Sequence, residues 1–91
     1  MKGIVHIRID DRLIHGQVAA FWTNSLSISR IMVVNDEVAA DEMQKSLLRM
    51  VAPASVRTSI ISKETAIKNI SAGKYEGQRV LLIAPTLNLL F

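Results

Sequence analysis

The 91-residue sequence predicts an α/β domain: an open, mostly parallel β-sheet with helices on both faces, its elements in the order β-α-β-α-β-α-β. Three observations predict it. Short runs rich in β-branched residues alternate along the chain with stretches whose apolar residues recur at helical spacing. One helical stretch separates each strand-like run from the next, which implies parallel pairing through right-handed crossovers and helices laid on the sheet. The length holds one domain and no second, and a chain of this size buries roughly two thirds of its unfolded surface.

Gly3 to Ile9 is the first strand-like run. Val18, Trp22 and Leu26 then recur at i, i+4 and i+8, the spacing of one helix face. Arg30 to Val34 (RIMVV) reads as the second strand. Ala40, Met43, Leu47 and Val51, joined by Leu48, form a wide apolar stripe with Asp41, Glu42, Lys45 and Arg49 off it, the pattern of a helix that lays one face on a core. Val56 to Ile61 is the third strand, and Ala66, Ile67 and Ile70 share one side of a third helix. Ser62, followed by Glu64 and Thr65, is its expected N-cap and Gly73 its expected stop. Arg79 to Ile83 is the fourth strand, and a further element starts after Pro85.

Composition narrows the functional classes. With 49% hydrophobic and 21% charged residues the chain is a packed globule and not a disordered one. No run approaches the roughly 18 apolar residues of a membrane span, and His6, Arg8, Asp10 and Asp11 interrupt any signal-peptide core, so a cytoplasmic location is expected. The absence of cysteine removes disulfides, thiolate nucleophiles, iron–sulfur clusters and cysteine zinc sites. The net charge of +3 is spread among mixed signs, with four aromatic residues (Phe21, Trp22, Tyr75 and Phe91). A nucleic-acid partner would want a one-signed face with interleaved aromatics. The small positive excess suits an anion instead, a phosphate group or an acidic partner.

In parallel sheets ligands bind outside the carboxyl ends of the strands. Four loops are placed there: Asp10 to Gly16, Asn35 to Val38, Ser62 to Lys63, and Ala84 to Thr86. The first is the longest and most polar. Its surroundings read Arg8-Ile9-Asp10-Asp11-Arg12-Leu13-Ile14-His15-Gly16-Gln17-Val18, setting two carboxylates, two guanidiniums and an imidazole between a strand and a helix. An imidazole with an ordinary pKa near 6.5 is mostly neutral in the cytoplasm and can act as nucleophile or base. Neighbouring arginines favour that neutral form and neutralise a phosphate arriving on the ring. The helix beginning near Gly16 turns free N–H groups and its positive end to the same place, and Gly16 leaves room for an anion. Such a set is what a transient phosphohistidine requires. From composition alone the plainer readings prevail: His15 as a surface histidine, Asp10 and Asp11 as turn or cap residues, His6 as a hydrogen-bonded strand histidine. Arg8 lies on the same strand face as His6 and Asp10 and can simply pair with an aspartate. His6, His15 and the aspartates fit none of the usual zinc spacings, so no metal is assigned.

The stretch RIDDRLIHGQV resembles the active-site loop of enzyme IIB of the mannose/fructose/sorbose family of the bacterial sugar phosphotransferase system. The similarity continues through Trp22-Thr23, Ile31 to Glu37 (IMVVNDE) and Asp41 to Leu48 (DEMQKSLL), reaching about Ala84. The resemblance implies a parallel α/β domain that takes a phosphoryl group from a phosphohistidine on the IIA subunit. It then passes that group to a sugar carried by the membrane subunits IIC and IID. No cofactor and no nucleic acid are implied, and the location implied is cytoplasmic, peripheral to the transporter. Carried over by position, the phosphorylated histidine falls on His15, at Nδ1, and the gripping arginine on Arg12. Asp10 is expected to hold the loop in shape, with Arg8, Gly16 and Gln17 supporting the phosphoryl group. The lack of cysteine agrees with the histidine type of IIB.

The family's domain is longer, and the tail Ala84 to Phe91 lacks charge and matches it poorly. Residues 1–91 are therefore expected to be the N-terminal part of one such domain, a truncated or frameshifted product. Its open strand edge and apolar end favour homo-oligomers. The alternative function is a non-catalytic remnant that binds IIA or self-associates. A phosphorelay receiver using Asp10 and Asp11 for magnesium would want an aspartate after the third strand, where Ile60-Ile61-Ser62 offers none. A dinucleotide-binding domain would want a glycine-rich first loop, also absent. Which sugar is served is not written in these residues.

Overall fold

The computed structural model describes residues 3–9 and 26–85. Four strands form one sheet: β1 (Ile4–Ile9), β2 (Arg30–Val34), β3 (Arg57–Ile61) and β4 (Val80–Ala84). Their order is β1-β4-β2-β3, and every pairing is parallel. Between β2 and β3 lie two helices, α1 (Asp36–Ala39) and α2 (Glu42–Val51), and α3 (Lys63–Ser71) joins β3 to β4. The expected α/β class and parallel pairing are what the structure shows, and one helix joins β3 to β4 as expected. The first expected helix, with Val18 and Trp22, falls outside the described residues.

Alternation along the two central strands builds a core on each side of the sheet. Ile31, Val33, Leu81 and Ile83 point to one side and pack with Ile28, Val38 and Ile60, with Leu26 and Leu48 against them. Met32, Val34, Val80, Leu82 and Ala84 point to the other and pack with Ala66 and Tyr75, with Ile4, Ile7 and Ile70 against them. The path from β2 to β3 runs toward one edge, whereas that from β3 to β4 runs back across the sheet. Right-handed crossovers then require opposite faces, which is why Val38 and Leu48 lie on one side and Ala66 and Ile70 on the other.

The connection between β2 and β3 departs from the expected single helix. Asn35 caps α1, its Oδ1 accepting from Val38 N at 3.1 Å. After Ala40 the chain turns and Asp41 caps a second start, accepting from Met43 N at 3.0 Å and Gln44 N at 3.2 Å. This restart resets the helical phase, so Leu48 meets the core while the rest of the apolar stripe faces outward. Of that stripe Met43 is 74% exposed, Leu47 55% and Val51 50%, and Met50, not among the anticipated residues, is 79% exposed beside them. The stripe anticipated against the core is thus an open apolar surface.

The Asp41 carboxyl is held below its ordinary pKa, first by the Gln44 backbone N–H, then by the Gln44 side chain, with Met43 N–H adding to it against a small opposing effect of desolvation. A depressed carboxyl stabilises the fold in full above its ordinary pKa, about 3.9, and loses that contribution as pH falls through the lowered value. The start of α2 is expected to fray on acidification below about pH 4, and Asp41→Asn should remove that pH dependence. Amide exchange of Met43 and Gln44 followed from pH 6 to 3 measures it, and parallel curves for the two chains would refute it.

The predicted caps of the third helix are present. Ser62 Oγ accepts from Thr65 N at 3.2 Å, and Gly73 follows the helix with φ of +73°. Gly3, at φ of +89°, directly precedes β1, and its carbonyl accepts from Val80 N at 2.7 Å. A Cβ on Gly3 would stand 2.0 Å from the Tyr75 carbonyl oxygen. Gly3→Ala is therefore expected to cost at least about 2 kcal/mol, from left-handed backbone strain and displacement of the Tyr75 loop. Urea denaturation measures it, and an unchanged midpoint would show that this contact yields freely.

Candidate functional site at the carboxyl edge of the sheet

Register brings the strand ends level. Ile9 is opposite Ala84, Val33 opposite Ile83, and Val34 opposite Ile61. The loops placed at this edge from sequence, those after β1, β2, β3 and β4, therefore leave from one line. Arg8 is the candidate site residue that the described chain contains. It sits half-buried in β1 opposite Ile83, with His6 two residues earlier on the same face opposite Leu81. Asp10, Asp11, Arg12, His15, Gly16 and Gln17 lie outside the described residues, as does Thr86.

The described part of the edge is built by backbone and cap chemistry. Asn35 N donates to the Ile61 carbonyl at 3.0 Å, joining the loops after β2 and β3. Asp36 Oδ1 accepts from Lys63 N at 2.7 Å, so a carboxylate from one loop caps the first turn of the helix after the other. Ser62 Oγ also lies 3.0 Å from Thr65 Oγ1. Helices leave β2 and β3 toward opposite faces, and between them opens a cleft of about 320 Å³ lined by Asp36, Ala39, Ala40, Ile60, Ile61, Ser62 and Thr65. Such a crevice is the usual ligand position in an open parallel sheet.

Sequence reasoning placed the two loops here but not Asp36 as the bridge between them or Thr65 as a wall. The available signal was the pair Asn35-Asp36 directly after an apolar strand, a combination that caps helices. The first turns of the helices carry acids, Asp36 and Glu37 in α1, Glu42 in α2 (ion-paired to Lys45 at 3.0 Å) and Glu64 in α3. They complement helix N-termini. Among the described residues no three His, Cys, Asp or Glu side chains gather as a metal site. No helix among them is long and apolar enough to cross a membrane.

These features define a parallel α/β domain with helices on both faces and a cleft at the strand carboxyl ends. More specifically, the chain belongs to the IIB components of the phosphotransferase system: the family described as "PTS system sorbose subfamily IIB component" matches residues 4–88. It is 51% identical over 76 residues to the mannose-specific EIIAB component of Escherichia coli (strain K12), covering 84% of this chain and 24% of that protein. It is 42% identical over 83 residues to the fructose-specific EIIB component of Bacillus subtilis (strain 168), covering 91% and 51%. The crystal structure of the IIBSor domain of the sorbose permease from Klebsiella pneumoniae superposes with a TM-score of 0.87 at 34% identity, covering 99% of this chain and 55% of that one. The chain thus spans about half the length of the fructose-specific relative and a quarter of the mannose-specific one.

Proposed function

We propose that this chain is a phosphoryl carrier of a sugar phosphotransferase system, accepting the group from phosphorylated IIA on His15 and passing it to a sugar moved by the IIC/IID transporter. The observation that carries this reading is the segment RIDDRLIHGQV, whose Arg8 and Ile9 end β1 at the carboxyl edge, in a chain of the IIB family. The His15 Nδ1 lone pair attacks phosphorus in line. The N–P bond of the donor breaks, its electron pair returns to the donor imidazole, and a new N–P bond forms on His15. Arg12 grips the equatorial oxygens with its planar fork, Arg8 adds positive charge from the penultimate position of β1, and the amides from Gly16 onward donate to the same charge. Asp10 holds the loop and Gln17 adds a side-chain donor. In the second step a sugar hydroxyl oxygen attacks phosphorus, the His15 N–P bond breaks with its electron pair returning to Nδ1, and the hydroxyl proton ends on the imidazole, which restores neutral His15. Catalysis in both steps is positioning and charge stabilisation. The working location is the cytoplasm, at the face of the transporter.

Incubation with phosphorylated IIA should produce an acid-labile N–P resonance on this chain in phosphorus NMR, which disappears on adding the transporter and its sugar. A chain that folds and stays unlabelled would refute the reading. A second reading, a non-catalytic binder of IIA or of its own copies, draws on the open stripe of Met43, Leu47, Met50 and Val51. It predicts a complex with IIA without label.

A further inference from the structure

The sequence suggested an anion partner from its positive excess, yet the described carboxyl edge around β2 and β3 is rich in acids. The positive groups collect at the opposite, amino edge. Arg30 and Arg57 open β2 and β3, and Arg79 directly precedes β4. Ser29 N and Arg30 N both donate to the Arg79 carbonyl, at 2.8 and 3.2 Å, and Arg57 N donates to the Ser29 carbonyl at 3.1 Å. Three guanidinium-bearing residues thus sit in one hydrogen-bonded ladder. Arg30 and Arg57 are register partners, so their side chains leave the same face side by side. Like charges placed so are unfavourable. Among the described residues no carboxylate pairs with any of the three. Arg49 and Lys68, by contrast, stand in the last turns of helices, where the helix end accounts for them.

Two of the guanidiniums are committed. Arg30 Nε donates to Gln78 Oε1 at 2.7 Å and Nη1 to Ser59 Oγ, and its plane lies 5.8 Å from the Tyr75 ring centre. Arg79 Nε donates to the Leu26 carbonyl at 2.9 Å. Because Arg30 occupies the oxygen of Gln78, that amide is left with its N–H groups. A cleft of about 270 Å³ opens here, lined by Ser29, Arg57 and Gln78. Its lining offers a guanidinium fork and an amide donor and is net positive, while the Ser29 hydroxyl is held as part of the wall, accepting from Arg79 N at 3.0 Å and donating to the Arg79 carbonyl at 3.3 Å.

We infer that this amino-edge cleft is a second anion site, taking a phosphate or phosphate-ester oxyanion on Arg57 and Gln78 beside the wall that Ser29 forms. It lies at the amino ends of the strands, about 16 Å from their carboxyl ends at 3.3 Å per residue. The volume, several times that of one water, accommodates a phosphate with a small organic group. The phosphate can come from a soluble ester or from a lipid headgroup.

Inorganic phosphate and glycerol phosphate titrated at low salt into the isotopically labelled chain distinguish these. The expected result is saturable shifts at the amides of Ser29, Arg57 and Gln78. Arg57→Gln should weaken binding about tenfold, while Lys45→Gln, an equal charge change elsewhere, leaves it unchanged. Co-sedimentation with phosphatidylglycerol vesicles that Arg57→Gln abolishes, without saturable shifts by soluble phosphate, would assign the site to headgroups. Shifts that never saturate, or equal losses in the two variants, together with no Arg57-dependent vesicle binding, would overturn the inference.

Discussion

A chain carrying His15→Ala is expected to take up no phosphoryl group from phosphorylated IIA, a loss of at least about 10³-fold in transfer rate. The size follows from chemistry. Alanine offers no lone pair to phosphorus, and a guanidinium and backbone amides stabilise the transferring group but cannot hold it covalently. Its thermal melt should match the parent, because a loop imidazole contributes little to a core made by strands and helices. Arg12→Lys makes a graded companion: it keeps the charge, loses the fork, and should retain His15 labelling at a reduced rate. Rapid-quench labelling with radioactive phosphate measures both. Label on the alanine chain equal to the parent would remove His15 from the mechanism, and an unaltered rate for Arg12→Lys would remove Arg12 from the grip.

Leu81→Ala is expected to destabilise the domain by about 2–5 kcal/mol. Leu81 is fully buried in β4, a strand paired on both sides, and packs with Ile31, Val33 and Ile83 under the α1–α2 face. No neighbour in a four-stranded sheet held by register can move in to fill the space. Against a total stability of about 5–15 kcal/mol for a small domain, the loss leaves a substantial unfolded population. Met43→Ala, at a position 74% exposed, should cost under about 0.5 kcal/mol although it too removes a large apolar side chain. Urea titration of both chains measures the contrast. Similar losses would mean that the outward stripe of α2 is covered in solution.

That contrast marks where sequence reading is strong and where it is not. The central strands were legible because runs such as RIMVV leave no hydrophilic face, which only burial on both sides satisfies. The start of α3 was legible because Ser62 and Thr65 carry their own hydrogen-bond instruction. The apolar periodicity of α2 was equally visible, yet its direction was not. Periodicity defines a stripe on a helix, and only the break at Ala40–Asp41 decides which way the stripe turns. The candidate loop after β1 rests on residue chemistry and family resemblance. Of that set, Arg8 lies within the described chain.

What the sequence alone determined is therefore local: the alternation of strand and helix, the caps, the parallel class, and the chemistry of the segment that contains His15. What the tertiary structure decided is every relation between residues distant in the chain. The order β1-β4-β2-β3, the bond from Asp36 to Lys63, and the gathering of Arg30, Arg57 and Arg79 at one edge belong to it. The physical reason is that side-chain pattern fixes which surfaces must be hidden, whereas register and crossover direction fix which hidden surfaces meet.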